Sequence, residues 1–166
     1  MARLRRWARE LLVLLLIVLV VAFGMDWLRA PQAPAAFDSQ VLTTLNGQQV
    51  SLAQLSQDKP LLVYFWASWC GVCRFTTPYV AKLADEGSNV LTVALRSGDD
   101  RQVAQWMAAK RLTLPVVNDP QGALSAQWQI GVTPTLVIIS KGKVVQSTIG
   151  WTSYWGMKLR LWWAGV

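Results

Sequence analysis

The chain has 166 residues, of which 53% are hydrophobic, so it can form one domain of ordinary size with a buried core and a short appendage. Its net charge is +7, but residues 1–30 contribute only +3 of it and the rest is scattered over the remaining sequence. Because no basic stripe results, we expect no nucleic-acid binding. The sequence has no histidine, which excludes histidine-dependent chemistry.

The N-terminal segment combines an arginine cluster with an apolar run. Four arginines lie within residues 1–10, and the sequence from Leu11 to Met25 is uninterruptedly apolar. A membrane-spanning helix needs about 20 residues, and the flanking Trp7 and Trp27 extend the usable length with side chains that suit the membrane interface. We therefore predict a cytoplasmic basic segment at 1–10 and a transmembrane signal anchor at 11–28.

The arginine cluster also predicts the orientation of this anchor. Arginine-rich flanks stay in the cytoplasm, so the rest of the chain would lie across the inner membrane, which in a bacterium is the periplasm. A cleaved secretory signal, with small residues at 33–35, is an alternative that also places the domain outside the cytosol. A helix of the internal core fits less well because the segment has no polar face. Residues 29–36 form a Pro/Ala linker, and the domain occupies 37–166.

Strand and helix patterns alternate along the domain. Asn46-Gly47 is a strong hairpin signal between the strand-like stretches 41–45 and 48–52. The continuous apolar run 61–66 predicts a central strand buried on both faces. Further strands are predicted at 90–95, 114–117, 135–139 and 144–148, a turn at 118–120, and helices at 53–56, 72–86, 99–110, 122–128 and 153–163. This order predicts an α/β domain with a mixed central sheet and helices on both faces.

Two of the predicted helices carry apolar repeats. The repeat in 72–86 consists of Val72, Phe75, Tyr79 and Leu83, and Pro78 should kink this helix. In 153–163, Trp155, Leu159 and Trp162 are spaced at i, i+4 and i+7, which most simply predicts a stripe packed on the sheet. The remaining aromatic and basic residues leave open a contact with the membrane interface or a partner, and they are Trp151, Tyr154, Trp163, Lys158 and Arg160.

The two cysteines of the chain, Cys70 and Cys73, are two residues apart at the junction of a predicted strand and helix. A thiol attacks only as the thiolate, and the N–H groups and dipole at a helix N-terminus favour an anion at Cys70. Cys73, one helical turn further on, is placed to attack the mixed disulfide formed at Cys70. Gly71 and Val72 leave that transfer sterically open. The spacing therefore predicts a redox-active dithiol.

The cysteine pair has other conceivable uses. A metal site would need further ligands, and the chain offers no histidine and no third cysteine. Haem attachment would require histidine at position 74, which is Arg74. A structural disulfide closing so small a loop would stabilise little. A thiolate module that binds or delivers copper is the alternative function that stays open, because copper(I) suits two thiolates. No cofactor is expected.

Residues 65–73, with Pro78 five residues later, resemble the active-site strand, turn and kinked helix of thioredoxin-fold proteins. Thr133-Pro134 resembles the second signature of that fold, a cis-proline before a strand. The resemblance implies that Pro134 lies against the cysteines and that the backbone at Thr133 binds the partner's chain. Trp69, Gly71 and Val72 complete the predicted partner-binding site, and Trp66 is expected to be buried within its strand.

The hairpin before the first core strand is similar to the extra N-terminal element of membrane-anchored periplasmic proteins of the TlpA and cytochrome-maturation type. The anchor and the residues 64–66, 70–78, 93–99 and 150–160 together resemble the suppressor-of-copper-sensitivity D proteins. That resemblance implies a membrane-tethered periplasmic thiol:disulfide oxidoreductase linked to copper tolerance. Its electrons would come from a membrane thiol-electron transporter and pass to disulfides of periplasmic proteins.

Two positions depart from the thioredoxin pattern. Cytosolic thioredoxins carry a buried aspartate where this chain has Tyr64, so water, the backbone or Asp99 are the candidates for proton handling at Cys73. Strongly oxidising relatives usually have a histidine between the cysteines, which is missing here, and we therefore predict a reducing potential. Arg74 could support the Cys70 thiolate or be a solvated helix residue, and the second interpretation is the simpler one.

Overall fold

The computed structural model describes residues 2–28, 33–34 and 37–166. The chain forms two compact units, residues 1–30 and residues 31–166. The first unit contains helix α1 (Ala2–Leu28), whose apolar side chains at 11–18, 20 and 21 are exposed. Over the described part of the chain, no helix has the length and apolar character needed to cross a membrane, and the predicted span at 11–28 is not confirmed. The predicted linker at 29–36 lies outside the described residues, except for 33 and 34.

The first element described in the second unit is a single 3-10 turn at Phe37–Ser39. Its strands are β1 (Val41–Thr43), β2 (Gln49–Ser51), β3 (Leu61–Trp66), β4 (Asn89–Leu95), β5 (Val116–Asp119), β6 (Thr135–Ser140) and β7 (Lys143–Ile149). Its helices are α2 (Leu52–Leu55), α3 (Cys73–Asp85), α4 (Asp100–Ala109), α5 (Ala123–Gln127) and α6 (Tyr154–Ala164). The predicted alternation of strands and helices is confirmed, including the hairpin β1–β2 around Asn46-Gly47.

The central sheet has five strands in the order β5-β4-β3-β6-β7. β3, β4 and β5 run parallel, while β6 and β7 are antiparallel to their neighbours, so the sheet is mixed as predicted. β3 lies at its centre, and all six of its residues are buried. Parallel neighbours need a crossover connection, which α3 provides between β3 and β4, and α4 between β4 and β5.

The two faces of the sheet carry separate apolar clusters because alternate residues of a strand point to opposite sides. Leu62, Tyr64 and Trp66 of β3 pack with side chains of α3, α4 and α6. Leu61, Val63 and Phe65 pack instead with the β1–β2 hairpin, α2 and the segment around Trp128. The central strand is thus covered on both faces, as its continuous apolar sequence predicted.

The end of β5 differs from the prediction, which placed a strand at 114–117 and a turn at 118–120. The strand continues through Asn118 and Asp119, which pair with Ala94 and Leu95 of β4. The Asp119 carboxylate is buried and accepts hydrogen bonds from the backbone N–H groups at the start of α5. A polar residue can therefore end a buried strand here because it caps the following helix.

The apolar repeats of α3 and α6 identified the helices but not their buried faces. Of the repeat predicted for α3, Leu83 is buried, whereas Phe75 and Tyr79 are exposed, as is Val72 just before the helix begins. The buried residues of this helix are Cys73, Thr76, Thr77, Val80 and Leu83. Small and polar side chains fill the buried face close to the sheet, which a search for apolar spacing does not detect.

The core stripe predicted for α6 is wrong. Trp155, Leu159 and Trp162 are 73%, 61% and 64% exposed. The residues that pack on the sheet are Tyr154, Met157, Leu161 and Ala164, which share the neighbouring face of the helix. Because α6 is apolar on most sides, hydrophobic spacing alone fits either face equally well.

Candidate active site

Three segments meet at one edge of the central sheet. β3 and β4 are parallel, so the turn after β3 and the loop after β4 lie at the same edge. β6 is antiparallel to β3 and starts at this edge, where Thr135 pairs with Phe65. The topology therefore brings the predicted site residues at 69–73 and 133–134 together.

Cys70 and Cys73 form a disulfide bond, and their Cα atoms are 5.3 Å apart. Cys70 lies half-buried in the turn before α3, whereas Cys73 is the first residue of that helix and is only 1% exposed. An incoming thiol or disulfide can therefore reach the sulfur of Cys70 but not that of Cys73. A nucleophilic and a resolving cysteine need such a difference in access, and the roles of Cys70 and Cys73 stay a prediction.

A backbone donor points at the accessible sulfur. The N–H of Cys73 donates a hydrogen bond to Sγ of Cys70 at a distance of 3.1 Å. This N–H belongs to the first turn of α3, where backbone donors have no partner within the helix. In the reduced protein the same donor and the helix dipole favour a thiolate at Cys70.

The loop before β6 lies next to the disulfide. The peptide bond between Thr133 and Pro134 is cis, as the resemblance implied. The carbonyl oxygen of Thr133 lies 3.5 Å from Sγ of Cys70, and Pro134 is buried. Thr135 Oγ1 donates a hydrogen bond to the carbonyl of Val132 at 2.7 Å, which ties the two ends of this loop together.

Trp69 stands exposed beside the disulfide but is held in place. Its side chain is 64% exposed, and its indole N–H donates to the carbonyl of Arg96 at 3.0 Å. The neighbouring Ser68 N–H donates to Oγ of Ser97 at 2.9 Å. Arg96 adopts φ of 44°, a left-handed conformation that is uncommon for residues other than glycine. The loop after β4 thus fixes the turn that carries Trp69.

The other predicted residues around the cysteines are found where the sequence suggested. Gly71 and Val72 are exposed between the two cysteines. Trp66 is fully buried and stacks on Trp106, with ring centroids 4.6 Å apart. Their exposure leaves Trp69, Gly71 and Val72 available to a partner, whereas Trp66 contributes to the core.

A buried hydrogen-bond chain lies behind Cys73. The Tyr64 hydroxyl and Thr77 Oγ1 are 2.9 Å apart, and Thr77 donates to the carbonyl of Cys73 at 2.8 Å. Because the single hydroxyl proton of Thr77 is used on that carbonyl, Tyr64 must be the donor to Thr77. Burial raises the pKa of Tyr64 well above its usual range, against a smaller lowering by the Thr77 hydrogen bond. Tyr64 therefore stays neutral and cannot act as the base that a buried carboxylate would provide.

Sequence reasoning missed Thr77, Arg96 and Ser97. A usable signal for Thr77 was its position four residues after Cys73, which places it over the first turn of the same helix. For Arg96 and Ser97 the signal was their position directly after a strand parallel to β3, at the edge where the cysteines also lie.

Arg74 and Asp99 have structural partners. The Arg74 Nε donates to the carbonyl of Gly71 at 3.0 Å, and its guanidinium lies 5.8 Å from the centroid of the Phe75 ring. Asp99 is the N-cap of α4, where it and Gln102 form a reciprocal capping box. These contacts favour the interpretation of Arg74 as a solvated helix residue, and they give Asp99 a role in starting a helix.

The side chains around the site offer few metal ligands. Across the described ranges of the chain, no group of three or more His, Cys, Asp or Glu side chains is close enough together to hold a metal ion. The donor set at the site is the sulfur pair alone, and both sulfurs are in the disulfide bond.

A mixed sheet flanked by helices, with a disulfide at a helix N-terminus facing a cis-proline, defines a thioredoxin-like thiol:disulfide oxidoreductase. The Redoxin family profile matches residues 30–153, and the chain belongs to this family. It is 42% identical to a thioredoxin-like protein of Haemophilus influenzae over 162 residues, which cover 98% of this chain and 97% of the relative.

Two further proteins agree with this assignment. The sporulation thiol-disulfide oxidoreductase A of Bacillus subtilis is 28% identical, over 74% of this chain and 75% of the relative. The crystal structure of the exposed lipoprotein thioredoxin Etrx1 of Streptococcus pneumoniae superposes with a TM-score of 0.61 and 28% identity, covering 74% of this chain and 96% of the other. The protein is therefore a thiol:disulfide oxidoreductase of thioredoxin-like fold.

Proposed function

We propose that this protein reduces disulfide bonds of other proteins outside the cytosol, with Cys70 as the attacking cysteine and Cys73 as the resolving one. The observation that carries the assignment of roles is the asymmetry of the pair. Cys70 is accessible and its sulfur accepts the N–H of Cys73, whereas the sulfur of Cys73 is enclosed. Only Cys70 can meet a partner, and only Cys73 is placed to displace it.

The reaction runs through one mixed disulfide. In the reduced protein the Cys70 thiolate attacks a partner disulfide, a bond forms between Cys70 and one partner sulfur, and the other partner sulfur leaves as a thiolate. The Cys73 thiol then loses its proton and attacks Sγ of Cys70. The second partner thiolate leaves, and the Cys70–Cys73 disulfide is formed. Two electrons have passed to the partner, which takes up two protons.

The partner's backbone would lie along Thr133. The carbonyl oxygen of Thr133 lies 3.5 Å from Sγ of Cys70, and the peptide bond from Thr133 to Pro134 is cis. An extended partner segment can hydrogen-bond to exposed backbone at this position. The exposed Trp69, Gly71 and Val72 would contact the partner on the other side of the sulfur.

The reducing direction is supported by the residues around Cys70. No histidine lies between the cysteines, so the thiolate is stabilised by the helix terminus and not by an adjacent imidazolium. A less stabilised thiolate makes the disulfide harder to reduce and the dithiol a better reductant. To work repeatedly the protein needs an electron donor, and we propose a membrane thiol-electron transporter for this role.

The sequence of the N-terminal segment supports membrane tethering. The apolar run from Leu11 to Met25 follows an arginine cluster, and its described side chains are exposed in the structure. Such a segment would hold the domain on the periplasmic side of the inner membrane. Etrx1 of Streptococcus pneumoniae is an exposed lipoprotein, which supports an extracytoplasmic location for this chain.

Trapping of the mixed disulfide tests the function. Cys73→Ser removes the resolving thiol, so partners attacked by Cys70 should stay linked to it and be identified by mass spectrometry. The double variant Cys70→Ser/Cys73→Ser is the matched control and should capture none. Captured proteins that are themselves periplasmic and carry disulfides would support the proposal.

The same experiment addresses the copper alternative. An empty trap, together with one copper(I) ion bound per reduced wild-type chain, would overturn the proposal in favour of a thiolate copper module. A copper-sensitive strain lacking the gene, restored by the wild type and not by Cys70→Ser, would support the link to copper tolerance.

Location and direction need separate measurements. If the domain lies outside the cytosol, a membrane-impermeant maleimide should label reduced Cys70 in intact spheroplasts, without lysis of the cells. Equilibration with glutathione buffers should give a potential near that of reducing thioredoxins. A potential as high as that of the strongest periplasmic oxidants would contradict the reducing direction.

A further inference from the structure

The outward side of α6 is a continuous apolar surface. Trp155, Leu159, Trp162 and Trp163 are 61% to 73% exposed. They are spaced at i, i+4, i+7 and i+8, so in a helix with about 3.6 residues per turn they form one stripe. We refer to these four residues as the outer face of α6. Soluble proteins rarely expose large contiguous apolar surfaces, and where they do, the surface usually marks an interaction site.

Positive charge borders this face on both sides. In the helical projection Lys158 lies on one flank of the stripe and Arg160 on the other. Residues 151–166 contain no acidic side chain. The carboxylate that contacts this region is Glu86 at the end of α3, which is shared by Lys158 at 3.0 Å and Lys82 at 4.0 Å. Two cations thus share this one carboxylate, and with Arg160 on the other flank the surface around the outer face of α6 is net positive.

The residue types point to the kind of surface that covers this face. Three of its four residues are tryptophan, whose indole combines a large apolar ring with one polar N–H and prefers the boundary between hydrocarbon and water. Flanking lysine and arginine side chains can extend to lipid phosphates while their stems stay on apolar surface. A second copy of the chain would bring like charges together. We infer that the outer face of α6 docks on an anionic lipid surface.

Docking in this way would leave the redox centre accessible. α6 packs against the C-terminal end of α3, where Tyr154 donates to Glu86 at 2.6 Å. Cys70 lies before the N-terminal end of α3, and 13 residues of helix separate the two ends by about 20 Å. The lipid contact would therefore orient the domain at the bilayer without covering the disulfide. This inference is independent of the direction of electron flow and of how α1 is placed.

Bulk binding to vesicles cannot test the inference because α1 of the full chain is also apolar. The test is oxidative footprinting of the full chain reconstituted into vesicles, read one tryptophan at a time by mass spectrometry. In phosphatidylglycerol vesicles we expect Trp155, Trp162 and Trp163 to be oxidised about threefold more slowly than in phosphatidylcholine vesicles. Trp69, which is as exposed as Trp162 at 64%, is the internal control and should react equally in both.

A paired variant separates docking by α6 from general shielding. Trp155→Ser/Leu159→Ser should restore fast oxidation of Trp162 in phosphatidylglycerol vesicles, and both changed side chains are exposed, so the fold should persist. Val145→Ser changes an exposed apolar residue of β7 and should leave the protection intact. Equal oxidation of Trp162 in both kinds of vesicle would overturn the inference. Protection that appears without vesicles and grows with protein concentration would also overturn it, in favour of self-association.

Discussion

Helices α3 and α6 pack on the same face of the sheet but present opposite distributions of side chains. The buried side of α3 near the active site consists of Cys73, Thr76 and Thr77, while the apolar Phe75 of this helix and Val72 just before it are exposed. The buried side of α6 contains the larger Tyr154 and Met157. Near the active site, the buried side of α3 is thus made of small and partly polar side chains. The buried side of α6 is made of large side chains that pack in the apolar core.

This difference reflects what the buried positions of each helix contact. In α3 the buried positions must bring a resolving sulfur and its hydrogen-bond partners against β3, so small and polar residues occupy them. In α6 the inner side chains fill space over β6 and α3, and the outer side is left free to carry tryptophan. Both helices therefore have exposed apolar residues next to a proposed binding surface. For α3 this is the surface around Cys70 that would bind a partner protein, and for α6 it is the outer face that would bind lipid.

The largest effect is expected at the N-terminal end of α3. Cys70→Ser should reduce catalysis of insulin reduction by dithiothreitol to the uncatalysed rate, because serine cannot form the mixed disulfide. Trp162→Ser on the outer face of α6 is the matched control and should keep the wild-type rate within about twofold in the absence of lipid. A slow Trp162→Ser protein with an intact fold would show that α6 takes part in the redox reaction itself.

The two sides of α6 should differ next most strongly. Met157 is 1% exposed, and Met157→Ala should lower the free energy of unfolding by about 2–5 kcal/mol because it removes buried apolar contacts and leaves a cavity. Leu159→Ala, at a residue that is 61% exposed, should change it by less than about 0.5 kcal/mol. Urea denaturation of both variants measures the contrast. Similar losses would mean that the outer face is covered in the folded protein.

A smaller effect is expected from the hydrogen-bond chain beneath α3. Burial raises the pKa of Tyr64, so the unfolded chain loses this proton at lower pH than the folded protein does. The stabilisation is fully present below about pH 10, the ordinary pKa of tyrosine, and is lost as pH rises above it. Tyr64→Phe should remove about 1.4 kcal/mol per pH unit from the alkaline slope of the unfolding free energy.

Thr77→Val provides the matched test of the same chain. It keeps Tyr64 but removes its acceptor, and a buried donor without a partner costs about 1–3 kcal/mol at neutral pH. We expect this variant to be destabilised at pH 7 while it retains the alkaline slope of the wild type. Urea midpoints at pH 7 and between pH 10 and 11 distinguish the two variants. An unchanged alkaline slope in Tyr64→Phe would show that Tyr64 does not set it.

Much of the redox centre could be predicted from the sequence because its determinants are local. The apolar run of β3, the spacing of Cys70 and Cys73, and the Asn46-Gly47 turn each specify structure within a few residues. Thr133-Pro134 could be placed only through a resemblance, since its approach to Cys70 depends on the pairing of β6 with β3. Contacts made through topology, such as that of Arg96 with Trp69, have no local signal.

The faces of helices were predicted less well for a different reason. Apolar residues that recur every three to four positions indicate a helix. They identify its buried face only if the other faces of the helix are polar. In α6 the residues at 155, 159 and 162 and those at 154, 157 and 161 fit equally well. Which set is buried depends on the side chains of α3 and β6 that meet it.

The smallest effect is expected where the two helices meet, at Glu86. The hydrogen bond from Tyr154, followed by that from Lys158, lowers the pKa of the Glu86 carboxyl, although this residue stays solvent-exposed. Its stabilisation is therefore present above the ordinary glutamate pKa of about 4.3 and is lost as pH falls through the lower value of the folded protein. Glu86→Gln should thus be slightly less stable than the wild type at pH 7 and equal to it well below pH 4.

Asp85→Asn removes the same charge from the same end of α3 and controls for net charge. If Glu86→Gln lowers stability equally at both pH values, the carboxylate does not join α3 to α6 through its charge, and the comparison between the helices would rest on packing alone.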